Sequence, residues 1–216
     1  MNIAKLYEMQ KTLDARIIEE KRLQGQDLLP NTILALKVEL GEMANEWRGF
    51  KHWSNDQQPR VKVKTECSTC EGSGDVNWPS SREFLIEGSS GLDYEKCEDC
   101  GGSGDGPYRN LLLEEYVDCV HFFLSIARQL GLDETDLTII DDYLEGSTTK
   151  VLNRLIYHAG GIGMEYSPFS TITSFRMAFN MFFALGQQHF GFTLEQIEAA
   201  YLDKNKVNHE RQANGY

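Results

Sequence analysis

The sequence predicts an all-α body, a helical bundle interrupted by one small cysteine-rich module. Three observations lead there: apolar residues recur every three or four positions along most of the chain, strand-like alternation is scarce, and the one stretch without helical periodicity, about residues 57–108, collects glycine, serine, aspartate and four of the five cysteines. With 216 residues, 41% of them hydrophobic, the chain is long enough to bury a real core in one medium domain plus a module. Any β structure is expected inside the module.

Taken in order, Ile3, Leu6, Met9, Leu13 and Ile17 mark one face of a first helix over about 3–21. A second begins near Pro30, a favoured first-turn residue, and runs to about Phe50 with Ile33, Leu36, Leu40, Met43 and Trp47 as its apolar stripe. After the module, Leu112, Tyr116, Cys119, Phe123, Ile126 and Leu130 set a third helix over 110–130, with Gly131 as its C-terminal stop. Short helices are expected around Glu134–Leu144 and Thr149–His158, then a turn at Gly160–Gly163 and a long apolar helix over about Pro168–His189. The last helix starts at a capping box, Thr193 with Gln196, and is expected to run to about Lys206.

Lys and Arg number 21 against 33 Asp and Glu, a net charge of −12, so the basic footprint for a nucleic-acid backbone or an anionic membrane surface is missing. No stretch approaches the roughly 20 apolar residues of a membrane span, and MNIAKLYEMQ lacks the layout of a secretory signal. A cytoplasmic location is therefore expected, where cysteines are thiols or metal ligands rather than disulfides. Cys67-Ser68-Thr69-Cys70 and Cys97-Glu98-Asp99-Cys100 each open a CxxCxGxG pattern. Four thiolates in two such knuckles suit a closed tetrahedral Zn²⁺ site, the glycines permitting the turn that aims backbone amides at sulfur. A redox dithiol is the weaker alternative, because two matched pairs are present. The pattern resembles the zinc modules of DnaJ-type co-chaperones, over these two repeats alone. Cys119, on the apolar side of its helix, fits a small core residue.

Glu39, Glu42 and Glu46 share a face of the second helix, and Glu115 and Asp118 repeat the three-residue spacing on the third, with Glu114 adjacent. Two helices each presenting two carboxylates can converge on a hard cation such as Mg²⁺; a solvated acidic face is the competing explanation. Phe50-Lys51-His52-Trp53 follows the second helix. Its tryptophan could stack on a planar base while Lys51 meets phosphate, or it could cap the core. Lys204, Asn208 and Arg211 would share one side of a helical continuation and suit a polyphosphate, the alternative being a solvated tail.

Together, ExxE at Glu39 and Glu42, the FKHW run, ExxD at Glu115 and Asp118 followed by His121-Phe122, and the ending KNKVNHERQANGY resemble the dimeric dUTPase family of the all-α nucleotide pyrophosphatases, which also include the MazG-like enzymes. The resemblance spans about Tyr7 to Tyr216 without the insert. It implies an all-α NTP pyrophosphatase domain over 1–56 and 109–216 around a zinc-binding module over 57–108, a homodimer, and Mg²⁺-dependent hydrolysis of dUTP, in this family also dUDP, to dUMP. By motif matching, Glu39, Glu42, Glu115 and Asp118 are the metal ligands, Glu39 also orients or deprotonates the attacking water, and Trp53 lies against uracil. Lys204, Asn208 and Arg211 hold phosphates, with Lys51, Asn205 and Tyr216 in the substrate-binding set. Gly160–Gly163 resembles the family's glycine turn. The family's first helix reads the base with a glutamine and an asparagine; here Gln10 and Lys11 straddle the glutamine position and Asp14 stands at the asparagine position. Many relatives continue past this point with glycine and lysine residues that close over the phosphates. Pyrophosphate release from another deoxynucleotide such as dCTP, motivated by Lys11 and Asp14, is the alternative activity. A non-catalytic zinc-module binding protein on this scaffold is the alternative class. The insert, lying between the two acidic helices in sequence, is expected near the mouth of the site, as a lid, a dimer contact or a partner surface.

Overall fold

A computed structural model describes residues 1–88, 90–140, 143–164 and 167–215. The chain forms two compact units, Met1–Pro59 with Leu112–Tyr216, and Arg60–Leu111. The first unit carries α1 (Ile3–Glu20), α2 (Leu29–Trp47), α4 (Leu111–Gln129), α5 (Thr148–Gly161), α6 (Pro168–Gln188) and α7 (Leu194–Ala213); the second carries β1 (Val63–Glu66), α3 (Trp78–Ile86) and β2 (Asp105–Arg109). The fold is mostly helical, with one two-stranded sheet among the described residues.

Helix α4 is the centre of the bundle because it is apolar on nearly every side: Leu112, Tyr116, Val117, Cys119, Val120, Phe123, Leu124 and Ile126 are all buried. Tyr116 stacks on Phe182 of α6 at 4.1 Å between ring centroids and donates its hydroxyl to the Phe182 carbonyl at 3.2 Å. Phe123 meets Phe175 and Phe179 edge-on, at 6.1 and 5.9 Å, so aromatic contacts tie α4 to α6 along its length. The close approach requires Gly186, where an added Cβ would come within 2.5 Å of the Tyr116 hydroxyl. The stripe anticipated on α2 is buried at Ile33, Leu36, Leu40 and Met43. Among the described residues, no helix is long and apolar enough to cross a membrane.

Several boundaries differ from expectation for local reasons. Residues 134–140 form no helix; a single turn at 134–137 is held by the Asp133 carboxylate, which accepts from the Thr135 amide at 2.8 Å, and the β-branched run Thr138-Ile139-Ile140 follows it. Asp141 and Asp142, in the remainder of that expected helix, lie outside the described residues. Helix α5 continues to Gly161, taking in the start of the expected glycine turn. Helix α7 begins at the Thr193–Gln196 capping box and runs to Ala213, past the expected end at Lys206.

The second unit is a small antiparallel ladder with Val63 opposite Arg109 and Lys64 opposite Tyr108, irregular between Lys64 and Glu66. The helix α3 was not anticipated from the glycine-rich composition; it starts with Pro79 in its first turn. Gly74 and Gly104 both have φ near +80° and each backs onto a carbonyl of the other knuckle, so a Cβ would sit 2.3 Å from the Gly102 oxygen or 2.0 Å from that of Gly72.

Replacing Gly186 by alanine tests the α4–α6 approach. Alanine is the better helix former by about 1 kcal/mol, yet the overlap with a ring that has nowhere to go should leave a net loss of about 1–2 kcal/mol, read as a lower urea midpoint at unchanged slope.

Candidate functional site

Two clusters of potential metal ligands are present among the described residues, one in each unit. In the bundle, Glu39 and Glu42 of α2 and Glu115 of α4 bring carboxylate oxygens within 4.8 Å of one another. Glu39 and Glu115 are partly buried on this face, whereas Glu42 is exposed. Glu39 is half-buried, and its pKa is pushed up to about 7, chiefly by burial and then by the charges of Asp118, Glu42 and Glu115, with Lys204 pulling the other way. Glu115 is raised by burial and by Asp118 and Glu42. Asp118 stands apart from this trio: its Oδ2 accepts from Lys204 Nζ at 2.6 Å. Burial raises its pKa while Lys204 and Arg211 oppose the shift. An all-oxygen donor set whose members repel one another is the chemistry a hard divalent cation satisfies.

Beside the acids lies a cavity of about 310 Å³ lined from four helices: Gln10 and Asp14 of α1, Glu39 of α2, Asp118, His121 and Ser125 of α4, and Lys204, Asn208, Arg211 and Gln212 of α7, with Leu13, Ile17 and Phe122 as its apolar surface. The extension of α7 past Lys206 puts Lys204, Asn208 and Arg211 on this one wall, three or four residues apart. One end of the cavity is therefore carboxylate and one wall cationic. Its inner wall is hydrogen-bonded, with the Asp14 carboxylate paired to Arg128. Gln10 Nε2 donates to Asp14 Oδ1 at 2.8 Å and to Ser125 Oγ at 3.0 Å. Arg128 Nε donates to Asp14 Oδ2 at 2.8 Å. Tyr201 donates to Gln10 Oε1 at 2.9 Å and its ring stacks on His121 at 4.1 Å. Burial, aided by Lys204, lowers the His121 pKa to about 3, so this imidazole is neutral.

In the second unit, all four paired cysteines converge with Sγ atoms within 4.8 Å of one another. Cys67 and Cys97 are 3.9 Å apart and Cys70 and Cys100 3.7 Å. A tetrahedron with Zn–S bonds of about 2.3 Å spaces its sulfurs by about 3.8 Å, so the arrangement fits Zn²⁺. Gly74 and Gly104 donate their amides to Cys70 Sγ and Cys100 Sγ at 3.2 and 3.3 Å. Against the effect of burial, the Gly104 amide and the neighbouring thiols lower the Cys100 pKa to about 7, while, against a hydrogen bond from the Cys100 backbone, burial and the same crowded thiols push Cys97 up to about 11, as expected when one proton-free sulfur is shared among neighbours. The fit to Zn²⁺ therefore rests on the convergence of the four sulfurs. Cys119 is fully buried in the bundle core.

Of the anticipated substrate-binding residues, Gln10, Asp14, Lys204, Asn208 and Arg211 meet at the cavity. Asn205 is buried and is not among the lining residues. Trp53 is 68% exposed, packs edge-on against Phe50 and His52, and with Lys51 lies outside the lining set. Both sit beyond the end of α2, whereas Glu39 is at its middle, eight residues and about 12 Å of helix before Trp47. Tyr216 lies outside the described residues. Sequence reasoning missed Ser125, Arg128 and Tyr201; the only signal was a serine and a histidine spaced by four on the helix carrying ExxD.

The raised Glu39 pKa has a measurable consequence. A carboxyl whose folded pKa lies above its ordinary 4.5 binds its proton more tightly when folded, so stability falls as pH rises from about 4.5 to about 7 and stays reduced above. Glu39→Gln should therefore raise the melting temperature at pH 8 in buffer free of Mg²⁺ and leave it nearly unchanged at pH 4, by calorimetry.

The comparison with known proteins agrees with this geometry. A search of curated proteins finds no match. A family model described as dUTPase matches residues 2–70 and 103–216, which takes in all four helices that line the cavity and the first cysteine pair, and leaves out most of the cysteine module. With most of its length matched, and the acidic and cationic walls both inside the matched segments, the chain belongs to the dUTPase family.

Proposed function

We propose that this protein hydrolyses dUTP, and dUDP, to dUMP with Mg²⁺ at Glu39, Glu42, Glu115 and Asp118. The observation that carries the proposal is the single cavity bounded by Glu39 and Asp118 on one side and by Lys204, Asn208 and Arg211 on another. Membership of the dUTPase family supports the substrate. A phosphate chain between those walls is drawn to Arg211 and Lys204 and repelled by the carboxylates. These carboxylates would hold Mg²⁺, which would supply charge neutralisation for the phosphates and acidify the attacking water. Glu39, half-buried and lining the cavity beside Asp118, is the group that takes the proton from water. Lys204, paired with Asp118 at 2.6 Å, would supply cationic charge to phosphate beside the carboxylates that would hold the metal. Leu13, Ile17 and Phe122 give the deoxynucleoside an apolar surface.

Zn²⁺ in the cysteine module is proposed as structural, since four thiolates leave no open position for a substrate. A homodimer is proposed on the family resemblance. Leu34 and Val38 of α2, Tyr157 of α5 and Phe169 of α6, all strongly exposed and apolar, support it.

Pyrophosphate release from a panel of deoxynucleoside triphosphates with Mg²⁺ tests the activity. Turnover selective for dUTP is expected, with kcat reduced about 10²–10⁴-fold in Glu39→Gln and lost in Asp118→Asn. Selective turnover of dCTP or a modified nucleotide would replace the substrate; no turnover of any nucleotide would leave a zinc-module scaffold. Metal analysis of the purified protein should find about one zinc per chain, absent from Cys97→Ser while the helical circular dichroism is kept. Four freely titratable thiols in the native protein would refute the zinc assignment.

A further inference from the structure

The inner wall of the cavity contains a chain of hydrogen bonds with a defined polarity. Asp14, only 8% exposed, accepts at both oxygens: from Gln10 Nε2 and Ser125 Oγ at Oδ1, each at 2.8 Å, and from Arg128 Nε at Oδ2. A carboxylate beside a guanidinium accepts and does not donate. The Gln10 amide must therefore turn its NH₂ toward Asp14, where Ser125 Oγ at 3.0 Å takes the second hydrogen. Its Oε1 then faces the other way, accepting from Tyr201 and lying 2.7 Å from His121 Nδ1. Two acceptors do not face each other at that distance, so the His121 proton is on Nδ1. The ring is neutral, which leaves a bare lone pair on Nε2. Among the described residues that atom has no hydrogen-bond partner, although His121 lines the cavity and is 5% exposed. A buried polar atom without a partner loses free energy until something supplies one.

We propose that Asp14 is a positioning residue for base selection: acting through Gln10, it fixes His121 as an Nε2 acceptor, and that acceptor takes the ring N–H of a uracil-type base. Cytosine carries a lone pair at the same ring position and would set lone pair against lone pair. An asparagine at position 14 could present either its oxygen or its NH₂ to Gln10, so both amide orientations, and both imidazole tautomers, would become available. The assignment deepens the nucleotide reading above and rests on it.

The tautomer can be observed without turnover, by long-range ¹H–¹⁵N NMR of the full chain labelled at histidine. Wild type should show His121 protonated at Nδ1, and saturating dUMP should shift the Nε2 resonance while equimolar dCMP does not. In Asp14→Asn the two tautomers should mix, and the preference for dUMP over dCMP should fall roughly 10- to 100-fold. A His121 protonated at Nε2 in wild type overturns the proposal even if that variant fails to fold. So does an equal response to the two nucleotides, or an unchanged preference in a folded Asp14→Asn. The NMR result expected here, with no dUTP hydrolysis, would overturn the hydrolase reading and keep the tautomer; dUTP-selective turnover with Nε2 protonated would do the reverse.

Discussion

Carboxylates that repel one another stay within a few ångströms only when the scaffold behind them is stiffer than the repulsion. Here the scaffold is the apolar side of α2 and nearly the whole circumference of α4. Leu40 and Met43 flank Glu39 and Glu42 in sequence and are fully buried, as Tyr116 and Cys119 are beside Glu115 and Asp118. Each acidic residue is thus anchored through a neighbour that cannot move without opening the core. Tyr116 is held by a stacked Phe182 and a hydrogen bond to its carbonyl, so the α4 backbone next to Glu115 is among the most constrained in the bundle. The same packing partly desolvates Glu39, which turns proximity into a displaced proton affinity.

Exposed charge and buried, paired polarity are divided along the cavity. At the acidic end and on the α7 wall the side chains are ionic and partly exposed, suited to a multivalent substrate that brings counter-charge with it. On the inner wall the groups are buried, and all but a few atoms are paired internally. A low-dielectric wall of satisfied dipoles discriminates by hydrogen-bond polarity, because an incoming group that fails to match leaves a buried atom unpaired. Lys204 belongs to both regions: it pairs with Asp118 and its charge helps to keep His121 neutral.

Much of this was legible in the sequence where local rules decide the outcome. The stripes Ile33, Leu36, Leu40, Met43 and Leu112, Tyr116, Cys119, Phe123 located the two acidic helices, because a 3.6-residue period needs no tertiary information. The matched CxxC spacing anticipated the convergence of the four cysteines for a similar reason: each knuckle is local geometry. Residues 134–140 misled, because an acidic, threonine-containing stretch suits either a first helical turn or an Asx turn, and the Asp133 carboxylate chose the latter. The partnership of Gln10 with Ser125 was invisible, since 115 positions separate them and neither belongs to a spacing motif. Trp53 shows the opposite limit: a residue conspicuous by type is not thereby located, and here it is exposed and outside the lining set.

The antiparallel pairing of Val63 with Arg109 has an architectural consequence. Residues paired across such a ladder have Cα atoms about 5 Å apart, so the cysteine module leaves the chain at nearly the point where it enters. Measured end to end, a detour of some fifty residues spans little more than a tight turn. An insertion with coincident ends is portable, because the two points of a host chain that receive it need only lie close together. Its internal order is indivisible by contrast, because Gly74 and Gly104 each rest against the other knuckle's backbone, so half of the module has nothing to fold against. The unit of inheritance or grafting is therefore the whole cassette, both knuckles together, closed at its base by the two-stranded ladder.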